Sequence, residues 1–348
     1  MRKKGRLFMF LFSNYIGVDM GTSNTKIYFK DRGIVLREPS VVAIDNYDEA
    51  IRAAGNEAKA MLGRTPKEIT AVRPIKDGVI ADLTSTETML RMFVKDVCGS
   101  GFFSKPRAVI AVPFNVTEVE RHAVKQAAAG AGVRDPRTVD EPMAAAIGAG
   151  LPIGEATGSM IVDIGGGLTE VAVISYQGIV SSCSVKVAGD DFDEAIVNYI
   201  KRKYNVFIGD RTAEELKINI GSAYPYENEG SEIVKGRNLI DGLPREIEIT
   251  AAEVREALGD SVAAVLEAVR STLEKTPPEL SADLIERGIM LCGGSALLRG
   301  IDTVIAQETG MPVYIAPEPT DCVAIGAGMM LEHIDEFDND DSYGYRMA

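Results

Sequence analysis

The sequence predicts an α/β protein made of two related halves. Three observations carry that prediction. First, continuous apolar runs of strand length alternate with amphipathic stretches of helix length along most of the 348 residues. Second, one pattern occurs twice, at residues 16–28 and 160–172: an apolar strand, an Asp, a tight Gly/Ser/Thr turn and a second apolar strand. Aligning Asp19 with Asp163 places Gly21 on Gly165, Thr25 on Thr169 and Ile27 on Val171. Third, no low-complexity linker separates the two copies, so packed elements are expected to join the halves. The 46% hydrophobic and 25% charged composition suits a soluble chain able to bury two cores.

The chain opens with Met1 to Arg6, which is basic, and then Leu7 to Phe12, which is wholly apolar. A secretory signal would carry an apolar core of ~7–15 residues ending in small side chains. Here the apolar run passes through Ser13-Asn14 straight into the first strand, so removing it would cut the fold. Two readings fit: a membrane-surface anchor using Leu7, Phe8 and Phe10, or a terminus that is disordered or extends the first strand. No run reaches the ~20 apolar residues of a membrane-spanning helix.

Further along, Ala108–Val112, Ser159–Asp163 and Gly288–Leu291 read as strands buried on both faces. Capping boxes predict helix starts at Thr117/Glu120, Thr212/Glu215 and Thr250/Glu253. The first of these helices is expected to end at Gly130-Ala131-Gly132. The last carries Val254, Leu258, Val262, Val265, Leu266, Val269 and Leu273 on one face and stops at Pro277-Pro278. Residues 225–248 read as irregular, with short alternating strands. The final dozen residues are acidic and polar and are expected to form a disordered tail.

A net charge of −14 argues against nucleic acid as a partner, because neutralising phosphates needs clustered Lys and Arg. Cys98, Cys183, Cys292 and Cys322 show no Cys-x-x-Cys spacing and read as reduced thiols of a cytosolic protein. Two histidines, His122 and His333, cannot build a His-based metal site.

The repeated hairpin carries the chemistry. Gly-, Ser- and Thr-rich turns present several backbone N–H groups to one anion, and Gly21 and Gly165 to Gly167 let the backbone approach closely. Thr22, Ser23 and Asn24 add side-chain donors. An Asp before each turn would repel a phosphate unless a cation lay between them. Mg²⁺, which keeps most of its waters, suits Asp19 and Asp163. The pair therefore points to one nucleotide served by both copies. Glu141, at a strand-to-helix junction before Pro142, could orient or polarise an attacking water or simply form a structural helix start; its place shortly before the second hairpin favours the former. The alanines after it permit close helix packing. Gly288 to Gly300, with Cys292-Gly293-Gly294-Ser295-Ala296 at its centre, reads as a strand, a Gly turn and a helix N-terminus. Glu214 and Lys217, three apart on a helix, could bracket a ribose and base or form a surface pair.

These segments resemble the actin, sugar-kinase and heat-shock-chaperone ATPase superfamily, and within it the bacterial actins of the MreB/Mbl family. The resemblance runs from about Ile16 to Ile334 and includes Arg73–Asp82, Asp140–Ala149, Asp163–Gly167, Gly209–Lys217 and Thr276–Ser281. It implies an actin-like, ribonuclease H-like duplicated fold with two lobes, four subdomains and a central nucleotide cleft. The expected division is a first lobe over 15–155 with a small subdomain around 40–80, and a second over 156–334 with one around 205–250. Residues 1–14 and 335–348 lie outside both lobes.

The resemblance further implies ATP and Mg²⁺ as cofactors, and self-assembly into filaments in the cytoplasm at the inner face of the membrane. Such filaments organise wall synthesis and cell shape with membrane-bound shape and wall-synthesis proteins. By family position, Thr22–Asn24 and Gly165–Gly167 cradle phosphates. Glu214, Glu215, Leu216, Lys217, Gly293, Gly294, Ser295 and Ala296 hold the adenosine. Asp19, Asp163 and Glu141 serve metal and water, with Thr169 beside them. A second membrane element is implied at Gly101–Arg107, where Phe102 and Phe103 precede Lys105 and Arg107.

Three departures stand out. Leu168 occupies the place where the family usually has a Thr linked to the attacking water; Thr169 remains. Cys292-Gly293-Gly294-Ser295 replaces the usual Thr and three Gly. Lys26 replaces an apolar residue and is expected to reach a phosphate as a cation. A slow ATPase follows from the first departure. A low-turnover nucleotide-binding scaffold and a monomeric kinase of the same superfamily are the alternatives; the kinase lacks a candidate substrate Asp beyond the metal pair.

Overall fold

A computed structural model describes residues 14–64, 66–99 and 105–333, and the chain divides into two compact units. The first extends to Ile153 and regains the chain from Asp321 onward; the second is Gly154–Thr320.

In the first unit, strands β1 (Tyr15–Met20), β2 (Asn24–Phe29) and β3 (Gly33–Pro39) form an antiparallel meander. They are followed by β4 (Val42–Asp45), β5 (Ile51–Ala54), α1 (Asn56–Met61) and β6 (Ile69–Val72), with β4 central in a small three-stranded sheet. Next come the two-residue strands β7 (Ile75–Lys76) and β8 (Val79–Ile80), α2 (Leu83–Cys98) and β9 (Arg107–Val112). The first stretch closes with α3 (Glu118–Gly130), β10 (Pro136–Asp140) and α4 (Glu141–Gly148). The main sheet has the order β10-β9-β1-β2-β3, with β9 and β10 parallel to β1. Ile16, Val18, Ile27, Leu90, Ile110 and their neighbours form its core, each large aliphatic contributing about 1.5–3 kcal/mol.

The second unit repeats this plan. Strands β11 (Ser159–Ile164), β12 (Thr169–Ser175) and β13 (Gly178–Val185) form the meander, followed by α5 (Gly189–Tyr204). A smaller sheet then uses β14 (Val206–Phe207), β15 (Ser231–Asn238) and β16 (Pro244–Thr250), with α6 (Asp210–Ile220) inserted. Helices α7 (Ala251–Glu274) and α8 (Pro278–Arg287), strand β17 (Ile289–Cys292), α9 (Ile301–Thr309) and β18 (Val313–Ile315) complete it. The main sheet runs β13-β12-β11-β17-β18, with β17 parallel to β11 and β18 parallel to β17. Two meanders, each extended by two parallel strands, are the expected duplication.

The capping boxes at Thr117/Glu120 and Thr250/Glu253 are present. The one at Thr212 is not: Gly209 caps α6, and Thr212 lies inside it. Residues 225–248 are more regular than expected, because β15 and β16 pair over seven positions in one antiparallel hairpin.

The last helix, α10 (Cys322–Met329), packs in the first unit, not in the second as the expected 156–334 boundary had it. Small residues explain this. A Cβ on Gly326 would collide with the Ala144 carbonyl, one on Gly148 with the Cys322 carbonyl, and one on Gly17 with the Gly328 backbone. Helices α4 and α10 thus cross almost backbone to backbone beneath β1, as the alanine run predicted. Arg37 on β3 secures the start of α10 through a bidentate pair with the buried Asp321, at 2.6 Å at its shortest. Among the described residues no helix is long and apolar enough to cross a membrane.

Candidate functional site

Each unit presents its hairpin turn at the corresponding place. The turn of Gly21–Ser23 is closed by Met20 opposite Thr25, and that of Gly165–Leu168 by Ile164 opposite Thr169. In the first hairpin, Ser40 Oγ donates to the Gly21 carbonyl at 2.7 Å. Its proton being used there, Thr25 Oγ1 is the donor in the 2.9 Å contact with Ser40 Oγ. In the second, Ser295 Oγ donates to the Gly165 carbonyl at 2.8 Å. The first two N–H groups of α5 dock there too, Gly189 on the Gly165 carbonyl at 3.2 Å and Asp190 on the Gly166 carbonyl at 2.7 Å.

These bonds fix the turns' polarity. In a trans peptide the N–H points opposite to the C=O. With the carbonyls of Gly21, Gly165 and Gly166 turned into their own units, the N–H groups of Thr22, Gly166 and Gly167 point the other way. Aligned N–H groups make an anion-binding concavity. Thr22 Oγ1 accepts from the Gly78 N–H at 2.9 Å, which leaves its own proton to donate.

The carboxylates sit where the strands enter these turns. Asp19 and Asp163 are both buried. Gly293, at φ +86°, brings its backbone against Asp163: a Cβ there would collide with Asp163 Oδ1 and the Ile164 carbonyl. No group of three or more His, Cys, Asp or Glu is placed to hold a metal among the described residues. A divalent ion at one of these carboxylates would therefore depend on phosphate oxygens and water, which is the chemistry Mg²⁺ prefers.

Several expected site residues have other engagements. Lys26 was expected to reach a phosphate; its Nζ instead donates to Asp19 Oδ2 at 3.0 Å from the directly opposite strand position. Thr169 is fully buried and its hydroxyl donates to the Val187 carbonyl at 2.7 Å, so its proton ties the hairpin to the strand–helix connection. Leu216 lies in the core at 0% exposure, which removes its side chain from any ligand surface. Ala296 is equally buried, and Glu215 pairs on the surface with Arg211 at 2.9 Å. The expected helix start at Gly293–Ala296 is a single 3-10 turn, Gly294–Leu297.

Lys217 joins α6 to the hairpin. Its Nζ donates to the Gly189 carbonyl at 2.7 Å and lies 2.8 Å from Asp193 Oδ1. Burial pushes the Asp193 carboxyl up to about 6, against the pull of Lys217 and with help from Glu214 and Asp190.

Glu141 is the first residue of α4, and the preceding Asp140 makes no cap of its own. Asp140 instead receives Arg121 of α3 at 3.1 Å, both groups being buried. Neither Arg121, Asp193 nor Ser40 carried a sequence signal. The pairing of Lys26 with Asp19 did, because seven-residue spacing across a four-residue turn sets two residues opposite each other.

Leu7, Phe8, Phe10, Phe102 and Phe103, named as membrane contacts, lie outside the described residues, as does the acidic tail.

A family profile for MreB/Mbl protein matches residues 13–339. The chain is 52% identical over 333 residues to the cell shape-determining protein MreB of Escherichia coli K12, covering 94% of this chain and 96% of that one. It is 50% identical over 326 residues to the cell shape-determining protein Mbl of Bacillus subtilis 168, covering 94% and 98%. Among solved structures, MreB 5 of Spiroplasma citri bound to AMPPNP superposes with a TM-score of 0.89 at 38% identity, covering 93% of this chain and 97% of that one. The MamK double helical filament, at 22% identity, shares the fold with a TM-score of 0.77, over 92% and 99%.

Proposed function

Because the chain belongs to the MreB/Mbl protein family, and is on that ground a cytoskeletal cell-shape protein, we propose that it is an ATPase whose nucleotide state gates its own polymerisation. The observation that carries the nucleotide part is the inward turning of the Gly21, Gly165 and Gly166 carbonyls, which points the next N–H of each peptide outward. Nucleotide-bound structures of a 38% identical relative and filament assembly in the fold family support the same reading.

In this mechanism the N–H groups of Thr22, Gly166 and Gly167 and the Thr22 hydroxyl hold phosphate oxygens. Mg²⁺, when bound, supplies the charge that lets phosphate approach Asp163. Glu141 orients the attacking water, and the Arg121–Asp140 pair fixes the end of the strand before it. Leu168 brings no hydroxyl to the turn and Thr169 spends its own on Val187, so hydrolysis is slow. Slow hydrolysis prolongs the ATP-bound, assembled state. The adenosine is assigned to Glu214, Lys217 and the Gly293 turn on the family resemblance alone. The relatives do not favour a monomeric kinase or a hydrolysis-free scaffold.

Filaments lie against the inner face of the cytoplasmic membrane in this reading, with wall-synthesis and shape-determining membrane proteins as partners. The sequences at Leu7–Phe12 and Phe102–Arg107 support that placement through apolar side chains beside cations. Avidity along a filament would multiply two weak contacts.

Phosphate release from Asp163→Ala tests the enzymatic part. The variant should lose turnover; release at the parent rate would refute the role given to Asp163.

A further inference from the structure

Helix α6 ends at Ile220, one turn after Lys217. The last four carbonyls of a helix have no partner within it. That of Lys217 accepts from the Gly221 N–H at 3.1 Å. That of Asn219 is served from a distant segment: Arg299 Nη1 donates to it at 2.7 Å, and to the Gly221 carbonyl at 3.4 Å. A guanidinium there also complements the negative end of the helix dipole. The Tyr226 ring flanks the same guanidinium, with its centroid 5.4 Å away.

Arg299 follows the Gly294–Leu297 turn by two residues. Its backbone is joined to the chain leaving α6 as well. The Arg299 carbonyl accepts from the Ala223 N–H at 2.7 Å, and Ser222 pairs with Arg299 in a parallel bridge. The fully buried Ser222 hydroxyl accepts from Arg255 of α7 at 3.1 Å, which anchors the junction to the core helix of this unit. Gly300, at φ +74°, lies so close to this segment that a Cβ there would collide with Tyr224. One residue, through side chain and backbone together, thus ties the end of α6 to the turn that begins at Gly293.

We propose that Arg299 is a positioning residue for the nucleoside: it sets the spacing between α6, which carries Glu214 and Lys217, and the Gly293–Ser295 turn, so that ATP binds more tightly than its phosphate chain alone. This rests on the adenosine assignment made above. Arg299 acts through the Asn219 and Gly221 carbonyls, so its substitution changes the contribution of the nucleoside and leaves that of the phosphates.

The experiment is calorimetric titration of the full-length protein with ATP and with inorganic tripolyphosphate, both in Mg²⁺. The parent is compared with Arg299→Ala, Arg299→Lys and Tyr226→Leu. The readout is the ratio of ATP affinity to tripolyphosphate affinity, in which the contribution of the phosphate turns cancels. Arg299→Ala should lower that ratio about tenfold, the scale of one lost charge-assisted hydrogen bond, with tripolyphosphate affinity unchanged. Arg299→Lys, which can still donate to one carbonyl, should recover most of the loss. Thermal melts identify any variant that fails to fold. If Arg299→Ala is one of them, Tyr226→Leu, which removes the ring beside the guanidinium, should shift the ratio the same way and by less. A parent-like ratio in folded Arg299→Ala, or both ligands weakened equally, would reduce Arg299 to a structural cap and overturn the proposal. So would an unchanged ratio in Tyr226→Leu where that variant stands in. A parent that binds neither ligand would instead overturn the nucleotide-binding reading. A parent that binds both equally would overturn the adenosine assignment.

Discussion

Ser295 donates its hydroxyl to the Gly165 carbonyl at 2.8 Å, reaching the hairpin from a segment 130 residues away. Ser40 does the same for Gly21 in the other unit. The two serines come from unrelated places in their units, yet each fixes one peptide plane in its turn. Ser295→Ala should therefore free the Gly165–Gly166 peptide and weaken ATP binding about tenfold, with a stability loss of about 1 kcal/mol. Calorimetric titration together with a denaturant curve separates the two effects. A stability loss with unchanged affinity would make Ser295 a packing residue only.

Leu168→Thr should raise phosphate release, on the order of tenfold or more if the missing hydroxyl limits the step. The neighbouring Thr169 cannot substitute, since its proton is held by the Val187 carbonyl. An unchanged rate would show that a hydroxyl at position 168 does not limit hydrolysis.

Arg121 and Asp140 form a buried pair, so Arg121→Leu should destabilise the first unit by about 3–5 kcal/mol by taking the guanidinium away from a buried carboxylate. Arg121→Leu with Asp140→Asn should recover much of that loss. Urea unfolding of the single and double variants decides. Equal destabilisation in both would show that packing of the Arg stem matters more than charge.

Asp193 gives a pH prediction. Its folded-state pKa of about 6 lies above the 3.8 of an ordinary Asp carboxyl, raised chiefly by burial. Between those values the folded protein binds more protons than the unfolded chain. This group's contribution to stability is therefore full below about 3.8 and declines as pH rises through about 6. Asp193→Asn should remove a component of at most about 1.4 kcal/mol per pH unit over that window. Melting temperatures across pH 4–7 test it; identical slopes in parent and variant would count against it.

Gly326→Ala should cost about 1–3 kcal/mol or more, because α4 and α10 have no room for a methyl group at that crossing. Its melting temperature is the check, and a parent-like value would mean that the helices separate without penalty.

The sequence and the structure agree where chemistry is local. Asp, Gly and Thr at fixed spacing define each hairpin, and Thr with Glu three residues on defines the helix starts at Thr117 and Thr250. They part where distant segments decide. Thr212 has the same local signature, but Gly209 starts the helix one turn earlier. The chain's return to the first unit at Asp321 depends on glycines and alanines fitting backbone to backbone, which no periodicity encodes. Leu216 stands in a motif expected to hold adenosine, yet its own helix turns it into the core.

The most direct test of the account is sedimentation of the purified full-length protein with anionic liposomes, with and without ATP and Mg²⁺, followed by electron microscopy of the pellets. Nucleotide-dependent filaments lying on the lipid are the predicted result. A protein that binds ATP yet stays monomeric in the supernatant under every nucleotide and lipid condition would contradict an ATP-gated, membrane-associated polymer.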